Sequence, residues 1–185
     1  MAVELSEADR RIAQRLGHAQ TILDVGCGDG RLTWYLALET RRQVIGLDLS
    51  DAGFSKAKKL ASKAGVGQLV QCERGDVRHL DFPDGQFDVV ILAYTLHHIE
   101  DTPAALREIR RVLRPGGTIT VSEFEVKEGE KKGGCYQFSP SELAETLVEA
   151  GFGDIRWERA EDDVLLVAAS KAWEALWTKE KSWRY

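Results

Sequence analysis

Apolar residues in this chain switch repeatedly between short continuous runs and spacings of three and four. The runs predict strands over 21–25, 43–48, 68–73, 87–92 and 118–123, each too short for a helix and bounded by charged or glycine-containing segments. Between them, helical spacing predicts an amphipathic opening helix over 5–16 and further helices over 30–39 and 51–64. Thr102 is expected to cap the next helix, with Pro103 in its first turn and Leu106, Ile109 and Leu113 on one face. Arg114-Pro115-Gly116-Gly117 should stop that helix and turn the chain into the fifth strand. Ser139-Pro140-Ser141-Glu142 opens a last helix ending at Gly151, with two more strands near 153–159 and 163–170. Strand and helix alternate with no Pro- or Ser-rich linker, which predicts one α/β domain with a parallel sheet covered on both faces.

The first strand runs into Val25-Gly26-Cys27-Gly28-Asp29-Gly30, with glycine at every second position. Such a turn lets something approach the backbone closely, and the amides at the start of the following helix are expected to converge on it. The second strand ends in Asp48, the place from which a carboxylate can grip ribose hydroxyls. Asp48 taken alone could equally cap the segment after it. A dinucleotide fingerprint needs a third glycine or an alanine where this chain has Arg31. The pattern is instead D-x-G-x-G-x-G, starting at Asp24.

With the strand-four exit Tyr94-Thr95-Leu96-His97-His98-Ile99-Glu100-Asp101, this turn resembles the class I S-adenosylmethionine-dependent methyltransferases, in particular those acting on small molecules. The resemblance covers most of residues 20–170. It implies a three-layer Rossmann-like α/β fold with a seven-stranded, mostly parallel sheet, helices on both faces, and the last strand antiparallel between the fifth and sixth. It further implies S-adenosyl-L-methionine as cofactor. Asp24 and the 26–30 turn, with Gly26, Cys27 and Gly28, would face the methionine part, and Asp48 would hold the ribose. Asp76 and Val77 would hold the adenine edge, and Leu49 and Ala93 complete the cofactor-binding set.

His97 and Tyr94 are the candidate catalytic residues, with Glu123 and Tyr136 also placed to reach a substrate. His97 can serve as a general base or simply pack over the cofactor, since adjacent histidines are expected to point in different directions. Metal-using relatives carry E-x-x-E-H at this strand exit, where this chain has Tyr94, His97 and His98, so no metal is expected. The D/N-P-P-Y motif of amino-methyltransferases is also missing from 92–95.

Composition narrows the setting. Lys and Arg number 25 against 30 Asp and Glu, a formal charge of −5 that argues against a nucleic-acid partner. The odd cysteine count, at 27, 72 and 135, has no metal spacing and suggests reduced thiols in the cytoplasm. No run of eighteen apolar residues is present, so no membrane span or secretion signal is expected. Residues 125–134, charged and glycine-punctuated, have the composition of a mobile loop, which the resemblance implies would cover the acceptor and which could equally be a solvated connector. The domain is assigned to 1–170 and a Trp-rich tail to 171–185, where Trp173, Leu176 and Trp177 share a helical face. That face either docks on its own domain or forms a homodimer or protein-partner surface. The favoured function is methyl transfer to a small or medium-sized acceptor by in-line displacement. A protein or RNA methyltransferase, and a non-catalytic cofactor-binding or interaction module, remain the alternatives.

Overall fold

The computed structural model describes residues 5–126 and 138–171. The elements follow the alternation of the sequence. They are α1 (Glu7–Arg15), β1 (Thr21–Val25), α2 (Arg31–Thr40), β2 (Gln43–Asp48), α3 (Phe54–Lys63), β3 (Val70–Arg74), β4 (Phe87–Ala93), α4 (Thr102–Val112), β5 (Leu113–Phe124), α5 (Pro140–Glu149), β6 (Phe152–Glu161) and β7 (Val164–Lys171). They form a seven-stranded sheet of order β3-β2-β1-β4-β5-β7-β6, in which only β7 runs antiparallel to its neighbours.

Side-chain alternation sorts the core onto two faces. Ile22, Val44, Val89 and Ile91 pack under α1, α2 and α3 through Ile12, Leu36 and Ala61. Leu23, Val25, Val90 and Leu92 pack under α4 and α5 through Leu106, Ile109, Leu143 and Leu147. Burying β1 and β4 on both sides explains their unbroken apolar runs. The chain leaves β1 for one half of the sheet and β4 for the other, so a crevice opens between their C-terminal ends.

Two local expectations are corrected. Asp101, not Thr102, caps α4, its carboxylate accepting from the Ala104 amide at 3.0 Å. The Thr102 hydroxyl instead donates back to the Ile99 carbonyl. Nor does the Arg-Pro-Gly-Gly segment simply end a helix. Leu113 is already extended and pairs with Phe87, and pairing resumes at Val89 with Thr118, so the segment is a bulge within β5. Arg114 reaches back from that bulge to Asp88 at 2.7 Å, and Asp88 also accepts from the Gln20 and Thr21 amides. This fastens the sheet edge opposite the crevice.

Candidate active site

The turn after β1 is held from below. The Gly26 and Cys27 amides both donate to the Leu47 carbonyl, the Gly30 amide to the Cys27 carbonyl, and the Gly28 amide to Asp48 Oδ2 at 2.8 Å. β2 and the turn itself thus take up these turn amides, and the Arg31 amide at the start of α2 donates to Asp29 at 3.1 Å. What the glycines provide is space and positive φ. At Gly26 (φ 71°) a Cβ would lie 2.3 Å from the Thr95 side chain, whereas at Gly28 (φ 52°) it would meet nothing within 4 Å. Gly28 is the member of the pair that faces open space.

Asp48 ties this turn to the next. Oδ2 accepts from Gly28 and Oδ1 from the Ser50 amide at 3.0 Å, leaving each oxygen a second lone pair for a ligand hydroxyl. Beside it lies a cavity of about 260 Å³, close to the lower limit of roughly 300 Å³ for ligand pockets. Gly26, Asp48, Leu49, Val77, Tyr94 and His98 are among its walls. Leu49 is 65% exposed at that wall.

Asp24, Cys27, Ala93 and Asp76 are not among the walls of this cavity. Asp24 is buried beneath the turn on the α1/α2 side, where it accepts from the Thr33 hydroxyl at 2.6 Å. Burial pushes its carboxyl up to about 7, against the lowering by Thr33. Cys27 is buried against the position of Gly46, and burial pushes its thiol well above the usual range, so it fills space rather than reacts. Cys72 is half-buried and likewise raised. Ala93 packs with the α1/α2 core, and its carbonyl accepts from Thr95. Asp76 gives its carboxylate to the Arg78 guanidinium and amide, which hold it at about 2. Its neighbour Val77 is the one in the cavity wall.

Tyr94 leaves β4 in the left-handed region (φ 54°), with its ring 4.9 Å from that of Phe124. Its phenol is raised by burial and approached by the Ser6 side chain from the start of α1. The structure thus places Tyr94 in the wall of the first cavity. It does not join the His97 group.

His97 belongs to a neighbouring cavity of about 400 Å³, bordered also by Leu96, Pro103, Phe138 and Thr146. Its Nδ1 lies 2.6 Å from Glu123 Oε2, and Glu123 Oε1 accepts the His97 amide at 3.3 Å. Glu123 is 1% exposed, so a carboxylate in the core is compensated by this histidine. Engagement of Nδ1 leaves Nε2 as the ring nitrogen free for chemistry. The two histidines do not point apart: their rings lie 3.9 Å from each other, because a short 3-10 turn, Leu96–His98, tightens the chain there. His98 and Ile99 line both cavities and so form the partition between them.

Sequence reasoning named Glu123 but not its pairing with His97, since nothing local relates residues on different strands. It missed Asp9 and Thr33 altogether. Asp9 is fully buried on α1 and pairs with Arg31, yet in sequence it reads as one more charge on an amphipathic helix. Tyr136, the 127–134 part of the glycine-punctuated loop and the Trp tail beyond Lys171 lie outside the described residues. Within the described residues, no group of three His, Cys, Asp or Glu is arranged to hold a metal, and no helix is long and apolar enough to cross a membrane.

A family of methyltransferase domains matches residues 23–121, which span β1 to the middle of β5. The chain is 35% identical over 65% of its length to 27-O-demethylrifamycin SV methyltransferase of Amycolatopsis mediterranei, covering 46% of that protein. It is 38% identical over 56% of its length to 2-phytyl-1,4-naphtoquinone methyltransferase of Synechococcus elongatus, covering 45% of it. The chain thus spans less than half the length of these curated relatives. Among solved structures, the 1,6-didemethyltoxoflavin-N1-methyltransferase of Burkholderia thailandensis, bound to S-adenosylhomocysteine, matches with a TM-score of 0.72 and 28% identity, over 89% of this chain and 76% of that one. The cyclase SpnF shares the fold, with a TM-score of 0.81 and 23% identity over 93% of this chain and 84% of that one. With the glycine turn, the acid at the tip of β2 and the sheet order already in place, the match shows that the chain belongs to the class I S-adenosylmethionine-dependent methyltransferases.

Proposed function

We propose that this chain binds S-adenosylmethionine in the cavity beside Asp48 and transfers its methyl group to a small molecule seated against His97. The observation that carries this reading is a pair of adjoining cavities with His98 and Ile99 as their common wall. One offers a carboxylate and a Cβ-free surface, the other a histidine oriented by a buried carboxylate. Asp48, open space over Gly28, and the apolar Leu49 and Val77 suit a nucleoside with ribose hydroxyls and a planar base. Asp24 and Cys27 support the turn from beneath.

When bound, the cofactor supplies an electrophilic methyl group. The protein's share is alignment, exclusion of water and proton removal. Leu96, Pro103 and Phe138 give the second cavity apolar walls that favour a flat or greasy acceptor over water. Glu123 holds the His97 ring through Nδ1, leaving Nε2 to take the proton of an acceptor hydroxyl as the new bond to carbon forms and the S–CH3 bond breaks, or the proton of an ammonium group before its nitrogen attacks. The dyad argues for an acceptor that has a proton to lose. The named relatives act, by name, on a rifamycin and a naphthoquinone, which agrees with the small-molecule reading.

Incubation with methyl-labelled cofactor and fractionated cell extract tests it. Label is expected in organic-soluble small molecules. Label confined to protein or RNA would redirect the acceptor assignment, and no transfer to any fraction would leave a binding module.

A further inference from the structure

α1 contributes no residue to the cofactor cavity, yet it carries a carboxylate that the fold buries completely. Asp9 is 0% exposed and grips both terminal nitrogens of Arg31, the first residue of α2 and the one that follows Gly30 directly. A buried charge without a partner costs several kcal/mol, so this pair sits where it does because the guanidinium is there to meet it. The Asp9 carboxylate and the Ser6 hydroxyl also cap each other's amides, which places Ser6 at the end of α1 that approaches the Tyr94 phenol. α1 is anchored on its far side as well. Arg11 and Arg15 pair with Glu158, and the Glu7 amide donates to Glu161, both on β6. Tyr94 lines the cofactor cavity at the exit of β4, and Arg31 follows the glycine turn whose Gly26 lines it on another side.

We propose that Asp9 and Arg31 are positioning residues for the cofactor, with α1 acting as a brace that sets the glycine turn and Tyr94 at the spacing the nucleoside needs. This rests on the cofactor reading above and adds a part of the chain that touches no ligand. Closing the cavity around a cofactor then also stiffens α1, because the same two links join them.

Titration calorimetry with S-adenosylhomocysteine tests the brace, at a temperature where circular dichroism shows each variant folded. Asp9→Asn keeps an oxygen acceptor but removes the charge, and should weaken binding about fivefold or more. Arg31→Met should do the same, and the double variant should be no worse than the weaker single, since both remove one link. Hydrogen exchange on the unaltered protein needs no variant to fold: amides of residues 7–15 should exchange more slowly with the nucleoside bound. A lowered melting temperature with affinity kept within about twofold, or α1 exchange unchanged by ligand, would make the ion pair merely structural and overturn the proposal. If the unaltered protein binds neither S-adenosylmethionine nor its demethylated product, the cofactor reading fails first and the brace falls with it.

Discussion

The cavity beside Asp48 is built on the turn after β1, the tip of β2 and the residues after β3, and Tyr94, Thr95 and His98 from the exit of β4 close it. The neighbouring cavity instead joins His97 to Glu123 across 26 residues and two strands, then adds Phe138 and Thr146 from further on. The first is bound together by main-chain donors, with Asp48 fixed by the Gly28 and Ser50 amides. The second is bound together by side chains, with Glu123 answered by one histidine. Backbone geometry accepts many side chains nearby and so suits a common cofactor. Side-chain geometry changes with each substitution and suits an acceptor that differs between relatives.

The sharpest way to break this contrast is at His97. His97→Asn should lower kcat by about 10²–10⁴ with little change in cofactor affinity, because only the proton acceptor is removed. A raised KM with kcat intact would reduce His97 to a wall of the cavity. On the other side, Asp48→Ala should weaken S-adenosylhomocysteine binding by about 1.5–3 kcal/mol and leave kcat at saturating cofactor nearly unchanged. Gly28→Val should be harsher still for affinity, since its Cβ enters the open space at a φ of 52° that branched residues avoid. Calorimetry on folded variants decides both.

A subtler difference lies beneath the turn. Asp24 has a carboxyl raised to about 7 by burial, so the folded chain holds a proton that the unfolded chain loses near pH 4. Stability from this group is full below about pH 4 and declines as pH rises toward about 7. Asp24→Asn, neutral throughout, should gain on the unaltered protein by at least about 1 kcal/mol across that interval and run parallel above it. Urea unfolding at several pH values measures this, and a gap that closes as pH rises would mean the carboxylate is ionised and paired in the fold. The smallest expected effect is of chelation: turnover should survive EDTA, because Tyr94 and His97 stand where metal-using relatives place carboxylates and Glu123 is committed to His97.

The frame of the cavity beside Asp48 was legible because it is local. Glycines at every second position after a buried run, and an acid at the next strand tip, record constraints that act over a few residues. Even there the fold spends some of these groups on itself. β2 takes most of the turn amides. The Asp76 carboxylate is paired with Arg78, two residues on. Leu113 shows the same limit in the fold. Its helical spacing from Ile109 is real, but pairing with Phe87 pulls it into β5, since strand pairing overrides local periodicity.

The sequence by itself determined the order of strands and helices, the double-sided burial of β1 and β4, and the place of the glycine turn and of the acid at the tip of β2, because periodicity and glycine placement are written residue by residue. The tertiary structure alone decided which charges meet. His97 with Glu123, Asp9 with Arg31 and Asp88 with Arg114 are each brought together by sheet order and helix packing. A carboxylate carries the same letter whether solvated or buried. Only the folded chain determines which of them must find a cation, a histidine or a proton.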